Sequence, residues 1–206
     1  MSDWDNNKKG RFSWLKGLVS DGREDMIPKL GQLSKVRFLT HASLIAAVYA
    51  ALTIWLAPIS FGQQQLRVAE ALAILPAFTP AAIPGLFIGC AIANTVSFLG
   101  LPDIIFGSLA TLISAQLTYM ISRLLKDRGA LLRSILIPLP AVIINTIVIG
   151  AMLAVLTEVS FWIAAMGVMA GQALSCYGLG VPLMFLLRGF GQYVNGTKSN
   201  IHTTNE

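Results

Sequence analysis

The stretch Phe38-Leu39-Thr40-His41-Ala42-Ser43-Leu44-Ile45-Ala46-Ala47-Val48-Tyr49-Ala50-Ala51-Leu52-Thr53-Ile54-Trp55-Leu56-Ala57, closed by Pro58, decides the fold. It contains no Asp, Glu, Lys or Arg. About 20 such residues in helical form cross a hydrocarbon core of about 30 Å, so the segment predicts a membrane span. The pattern continues outward from it. Of the 25 charged residues in the 206-residue chain, 13 lie in the first 37 positions. From Phe38 to Phe190 there are ten: Arg67, Glu70, Asp103, Arg123, Lys126, Asp127, Arg128, Arg133, Glu158 and Arg188. Charged residues total 12%, against roughly 25% in ordinary globular chains, and hydrophobic residues 55%. Mean hydropathy is +0.68. A soluble core of this size needs polar helix faces, and they are absent. The composition therefore excludes a secreted disulfide scaffold, a disordered chain and a soluble nucleic-acid binder, although the net charge is +5.

Hydropathy and breakers predict five further helices, over residues 66–78, 80–98, 104–125, 134–156 and 161–187. The second is short: it either starts earlier, in Gln63-Gln64-Gln65, or is incomplete. Pro138 and Pro140 fall in the first turns of the fifth, and Gly178, Gly180 and Pro182 interrupt the sixth. Basic residues set the orientation. Eight lie in the tail before residue 38, four (Arg123, Lys126, Arg128, Arg133) follow the fourth helix, and Arg188 and Lys198 follow the sixth. The opposite loops carry only Asp103 and Glu158. The expected fold is an all-α integral membrane protein with six transmembrane helices and both termini cytoplasmic. Residues 1–37 form a basic tail, 38–188 the membrane domain and 189–206 a polar tail. In the first tail Phe12, Leu15, Leu18 and Val19 share a helical face beside Arg11 and Lys16. That face is either a helix lying in the membrane interface or part of an unstructured tail. The polar opening argues against a cleaved signal peptide.

No G-x-x-x-x-G-K-[ST], H-E-x-x-H or G-x-S-x-G motif occurs, so no catalytic residue is assigned. His41 and His202 lack partners at ligand spacing, so no metal and no cofactor are expected. Cys90 and Cys176 sit in apolar runs and read as buried small residues. Ala42, Ala46 and Ala50 recur at i, i+4, i+8, with Ser43, Ala47 and Ala51 in the stripe beside them. Small-residue rows let helices approach closely. The row serves either packing within the bundle or docking of another protein. Gly85/Gly89 and Gly167/Gly171 are pairs of the same kind, read as internal packing.

Arg67 and Glu70 are expensive in a bilayer, at least about 2.5–3.5 kcal/mol each on insertion scales. At i, i+3 they form either a structural ion pair or part of a ligand site. The amides Gln65, Asn94, Gln116, Asn145 and Gln172 favour a site, since amides offer donor and acceptor together and a carboxylate accepts a paired donor edge. That chemistry suits a polar heterocycle, on which Tyr177 and Trp162 could stack. The expected ligand-binding set is Gln65, Arg67, Glu70, Asn94, Asn145, Gln172 and Tyr177.

These residues carry a resemblance. Ile59-Ser60-Phe61-Gly62-Gln63-Gln64-Gln65-Leu66-Arg67-Val68-Ala69-Glu70-Ala71-Leu72, then Leu75-Pro76, then Phe78-Thr79-Pro80-Ala81-Ala82-Ile83-Pro84-Gly85-Leu86-Phe87-Ile88-Gly89-Cys90 and Ala93-Asn94 resemble the QueT family. So do Asp103, Phe106-Gly107-Ser108-Leu109-Ala110-Thr111, Gly171-Gln172 and Cys176-Tyr177-Gly178-Leu179-Gly180. The resemblance implies the bundle of a substrate-binding S component of an energy-coupling factor (ECF) importer in the bacterial plasma membrane. Its ligand would be a queuosine precursor with a 7-deazaguanine-type base. Its partners would be a membrane coupling protein, reached through Ala42, Ala46 and Ala50, and two ATPase subunits. The rival readings are a self-sufficient oligomeric carrier or channel and a membrane enzyme.

Overall fold

The computed structural model describes residues 34–60 and 66–189, all helix and connecting turns. The tails and Gln63, Gln64 and Gln65 lie outside the described residues, and with them the expected interfacial helix. Residues 34–40 group apart from His41–Glu206 and are helical; the bundle described here is that of the second unit.

Six helices result. The first, α1, is Ser34–Trp55, ended near Pro58 and followed by one turn, Ala57–Ser60. Helix α2 is Val68–Ala77, α3 is Ala82–Asn94, and α4 is Asp103–Leu124. The last two are α5, Ala130–Thr157, and α6, Phe161–Gly189. Four of them, α1, α4, α5 and α6, are long and apolar enough to cross a membrane. At about 2.0 Å per residue the ten-residue α2 reaches about 20 Å; at about 1.5 Å the thirteen-residue α3 reaches about the same. Both stop short of a 30 Å core. Of the six expected spans, four are long enough to cross and two are short among the described residues.

Three segments depart from α geometry. All of α2 is wound as a 3₁₀ helix. Three residues per turn align positions three apart, and Arg67, Glu70, Ala73 and Pro76 are indeed all buried while Leu72 and Leu75 are only half-buried. Helix α4 opens with a π turn, Asp103–Gly107. Helix α6 loosens into π geometry over Leu174–Gly180, so the glycines expected to interrupt it widen it instead, and the helix continues through Pro182. The π turn of α6 packs along α2, and that of α4 packs against α3 and α5.

Small residues set the packing. A Cβ at Gly85 would lie 2.7 Å from the Ala42 carbonyl oxygen, and one at Gly89 2.8 Å from that of Ala46. Helices α1 and α3 therefore touch backbone to backbone, as association in lipid favours. Gly150 of α5 meets Ala165 of α6 in the same way. Helix α4 buries Ser108, Ala110, Thr111, Ser114, Ala115, Thr118 and Ser122. Its hydroxyls are satisfied largely by its own carbonyls: Thr111 donates to Gly107, Ser114 to Thr111 and Ser122 to Tyr119. Thr118 instead reaches Ile137 of α5 at 3.2 Å. Large apolar side chains point outward, among them Trp55, Phe98, Leu124 and Val155. The surface suits hydrocarbon, and the polar side chains are drawn inward.

Candidate functional site

Three charged residues are buried among those described: Arg67, Glu70 and Asp103. Arg67, just before α2, donates through Nη2 to both carboxylate oxygens of Asp103, at 2.8 and 3.0 Å. The Asp103 backbone carbonyl accepts from Asn94 Nδ2 at 2.8 Å. Burial of so many polar groups at one point requires close approach, and Gly107 permits it. A Cβ there would lie 2.5 Å from Asn94 Nδ2 and 3.0 Å from Asp103 Oδ1. Cys90 lines the same point, its sulfur within 3.3 Å of Thr111 Oγ1 and 3.5 Å of Asn94 Nδ2. This junction ties the start of α2, the end of α3 and the π turn of α4.

Glu70 stands one 3₁₀ turn further along. Tyr49 of α1 donates its hydroxyl to Glu70 Oε1 at 2.7 Å, while Oε2 is buried and accepts no hydrogen bond of ordinary length. Asn145 of α5 lies close to the carboxyl, though its Nδ2 makes no hydrogen bond of ordinary length. Cys176 of the α6 π turn donates to the Glu70 backbone carbonyl at 3.5 Å and to Gln172 Oε1 at 3.8 Å. Ser175, in the same turn, is buried with its hydroxyl unpartnered. Buried polar groups are almost always hydrogen-bonded. Glu70 Oε2 and Asn145 Nδ2 have no partner but each other, and the Ser175 hydroxyl has none.

The structure therefore brings together Arg67, Glu70, Asn94, Asn145 and Gln172 from the expected set. It does not add Tyr177, which is half-buried and donates to the Ile135 carbonyl at 2.8 Å, nor Trp162 and Gln116, which face outward. Gln65 lies outside the described residues. Of the two readings of Arg67 and Glu70, the ion pair between them is not formed: Arg67 pairs with Asp103. Asp103, expected in an outer loop, is buried at a helix start. Ala42, Ala46 and Ala50 are also buried, the first two under α3. Ser43, Ala47 and Ala51 are the exposed stripe. Sequence reasoning missed Tyr49, whose signal was a phenol in an uncharged span, where Tyr hydroxyls need a partner. An open groove of about 530 Å³ bordered by Phe106, Ile147, Met152 and Val155 is lined almost wholly by apolar atoms and offers a polar ligand nothing.

An apolar exterior around a buried, incompletely satisfied polar cluster defines a polytopic membrane protein with an internal polar site. The chain belongs to the QueT transporter family, whose model matches residues 39–189. A curated relative from Lactococcus lactis subsp. cremoris (strain MG1363), described as "Queuosine precursor transporter QueT", is 37% identical over 86 residues, 41% of this chain and 50% of the relative. The match thus spans half the relative's length. No solved structure matches.

Proposed function

We propose that this protein is the substrate-binding S component of an ATP-driven ECF importer in the bacterial plasma membrane, and that it captures a queuosine precursor bearing a 7-deazaguanine base. The observation that carries the reading is the buried Glu70 carboxyl, held by Tyr49 and faced by the Asn145 amide, with no other hydrogen bond of ordinary length among the described residues. A ring N–H and exocyclic amine present two donors, which a carboxylate accepts together. Asn145 and Ser175 supply the remaining polar contacts. The Arg67–Asp103 pair is structural: it fixes the start of α2, and so the height of Glu70, without competing for the ligand.

The helices around the site favour movement. A ten-residue 3₁₀ helix and two π turns have poorer hydrogen-bond geometry than α-helix and mark hinges and functional sites in other proteins. Glu70 is only 1% exposed, so ligand entry requires these segments to shift. With no nucleotide-binding motif in this sequence, energy comes from a coupling membrane protein and two ATPases. That partner docks on the exposed Ser43, Ala47 and Ala51 stripe of α1, with both termini of the chain cytoplasmic.

Reconstitution in liposomes tests the assignment. The purified protein alone is expected to bind a 7-deazaguanine-type queuosine precursor without accumulating it, and to accumulate it once the coupling protein and ATPases are added with ATP. Concentrative uptake by this chain alone would overturn the S-component reading.

A further inference from the structure

Helices α5 and α6 run antiparallel, joined through residues 158–160, and Ile137 and Met184 meet in a buried cluster with Ile74 of α2. Arg133 stands four residues before Ile137, and Arg188 four after Met184. On antiparallel helices both steps lead to the same end, so each arginine lies about 6 Å beyond that contact, one helical turn. They are neighbours there, within electrostatic reach of one another, and both are half-buried. Arg133 Nη1 donates to the Lys126 carbonyl at 3.3 Å, while its Nε is buried without a partner. Arg188 Nη2 reaches the Met184 sulfur at 3.6 Å, a weak acceptor. Among the described residues no carboxylate bonds to either, and Asp127, the acid of the adjoining loop, is exposed and forms no ion pair. Arg123 differs: it is exposed and lies over the Tyr119 ring at 5.3 Å, with Nε donating to the Tyr119 hydroxyl at 3.3 Å. The orientation rule asks only for cations near this end. It does not account for two half-buried guanidiniums set side by side, which is costly unless an anion lies between them.

We infer that Arg133 and Arg188 together hold the phosphate of an anionic phospholipid, at a site separate from the polar cluster around Glu70. Guanidinium groups present planar forks of donors that match phosphate oxygens, and basic pockets between transmembrane helices take lipid headgroups. Position favours a lipid over a free phosphate. The pair sits where α5 and α6 leave the apolar region. Leu132 and Ile135 of α5 and Phe185 and Leu186 of α6, all exposed, continue from it along the same two helices. A headgroup held by the arginines thus leaves its acyl chains on an apolar surface. The bound phosphate ties α5 to α6 over the cluster that receives Ile74 and Ala77 of α2, so its binding stabilises the folded bundle.

Thermal unfolding of the purified full-length chain tests the site, in micelles carrying phosphatidylglycerol or, at the same mole fraction, phosphatidylcholine, which has the phosphate but no net charge. With the anionic lipid at about ten times its dissociation constant, the midpoint is expected about 3–6 °C higher than with the zwitterionic one. In the double variant Arg133→Gln, Arg188→Gln the difference is expected to vanish. The double variant Arg123→Gln, Arg128→Gln removes the same charge from the same end but outside the pair, and should keep it. Equal midpoints in the two lipids for the unaltered protein, or equal loss in both double variants, overturns the site. Inorganic phosphate that gives the full rise in phosphatidylcholine micelles overturns the lipid as occupant. A pair indifferent to lipid, whose replacement abolishes co-purification with the coupling module, belongs to a protein interface, which also overturns the inference. Should the first double variant not fold, Arg188→Gln alone, in the last turn of α6, is expected to lose at least half of the rise, and an undiminished rise counts against the pair.

Discussion

Replacing Asp103 by alanine isolates the structural half of the buried cluster from its ligand-binding half. Asp103 is fully buried and holds the 3%-exposed Arg67 by two hydrogen bonds. Removing one member of a buried ion pair leaves an uncompensated charge and costs about 3–5 kcal/mol. Glu70, one 3₁₀ turn away, is already engaged by Tyr49 and can recover only part of that. Equilibrium unfolding in mixed micelles should therefore show Asp103→Ala destabilised by about 3–5 kcal/mol. Exchanging Arg67 for methionine in the same chain should restore most of the loss, since a buried pair replaced by apolar groups is often neutral or stabilising. Glu70→Gln should behave differently. It keeps an acceptor for Tyr49 and breaks no ion pair, so stability should change by less than about 1 kcal/mol. If Asp103→Ala unfolds at the same denaturant as the parent, or Glu70→Gln loses as much as Asp103→Ala, the division of labour is refuted.

Helix packing and docking give further expectations. Gly89→Val places atoms where a Cβ already falls 2.8 Å from the Ala46 carbonyl, and overpacking of this kind typically costs about 1–3 kcal/mol, read in the same unfolding assay. Ala47→Trp, on the exposed stripe, should abolish co-purification with the coupling module while ligand affinity is retained; Ala46→Trp, on the buried stripe, should instead prevent folding. Survival of the complex in Ala47→Trp would place the docking face elsewhere. With Cys90 and Cys176 removed, a cysteine at Lys126 should stay unreactive toward an impermeant maleimide in intact cells, and labelling there would reverse the topology.

The long helices were legible because an uncharged run has one interpretation in a bilayer: the predicted span over residues 104–125 differs from α4 by one residue at each end. The pitch of α2 was not, since hydropathy does not report winding. Its trace in the sequence is weak, a Glu and a Pro at multiples of three from Arg67. The partner of Arg67 was hidden for a different reason. Asp103 lies 36 residues away and follows a turn at Gly100, whose φ of +66° suits glycine, so a single acid after a glycine read as loop. Only the π turn and the bare face of Gly107 bring it inward. The alanine row marks a face that another helix can approach closely, but an i, i+4 spacing does not say which helix fills it. Gly85 and Gly89, spaced alike, were the complementary signal. Asn94, Asn145 and Gln172 were legible as buried amides because polar groups deep in apolar spans must find partners, whereas Gln116, with the same residue chemistry, sits on the outward face of α4.

If Glu70 binds the ligand, its replacement must show in affinity. Calorimetric titration of a 7-deazaguanine-type queuosine precursor into folded Glu70→Gln protein, beside the unaltered chain, measures this. An amide presents one acceptor to two donors, so affinity should fall roughly 10- to 100-fold while the unfolding midpoint of the empty protein holds. Equal affinity in the two proteins would contradict the account and remove Glu70 from the site.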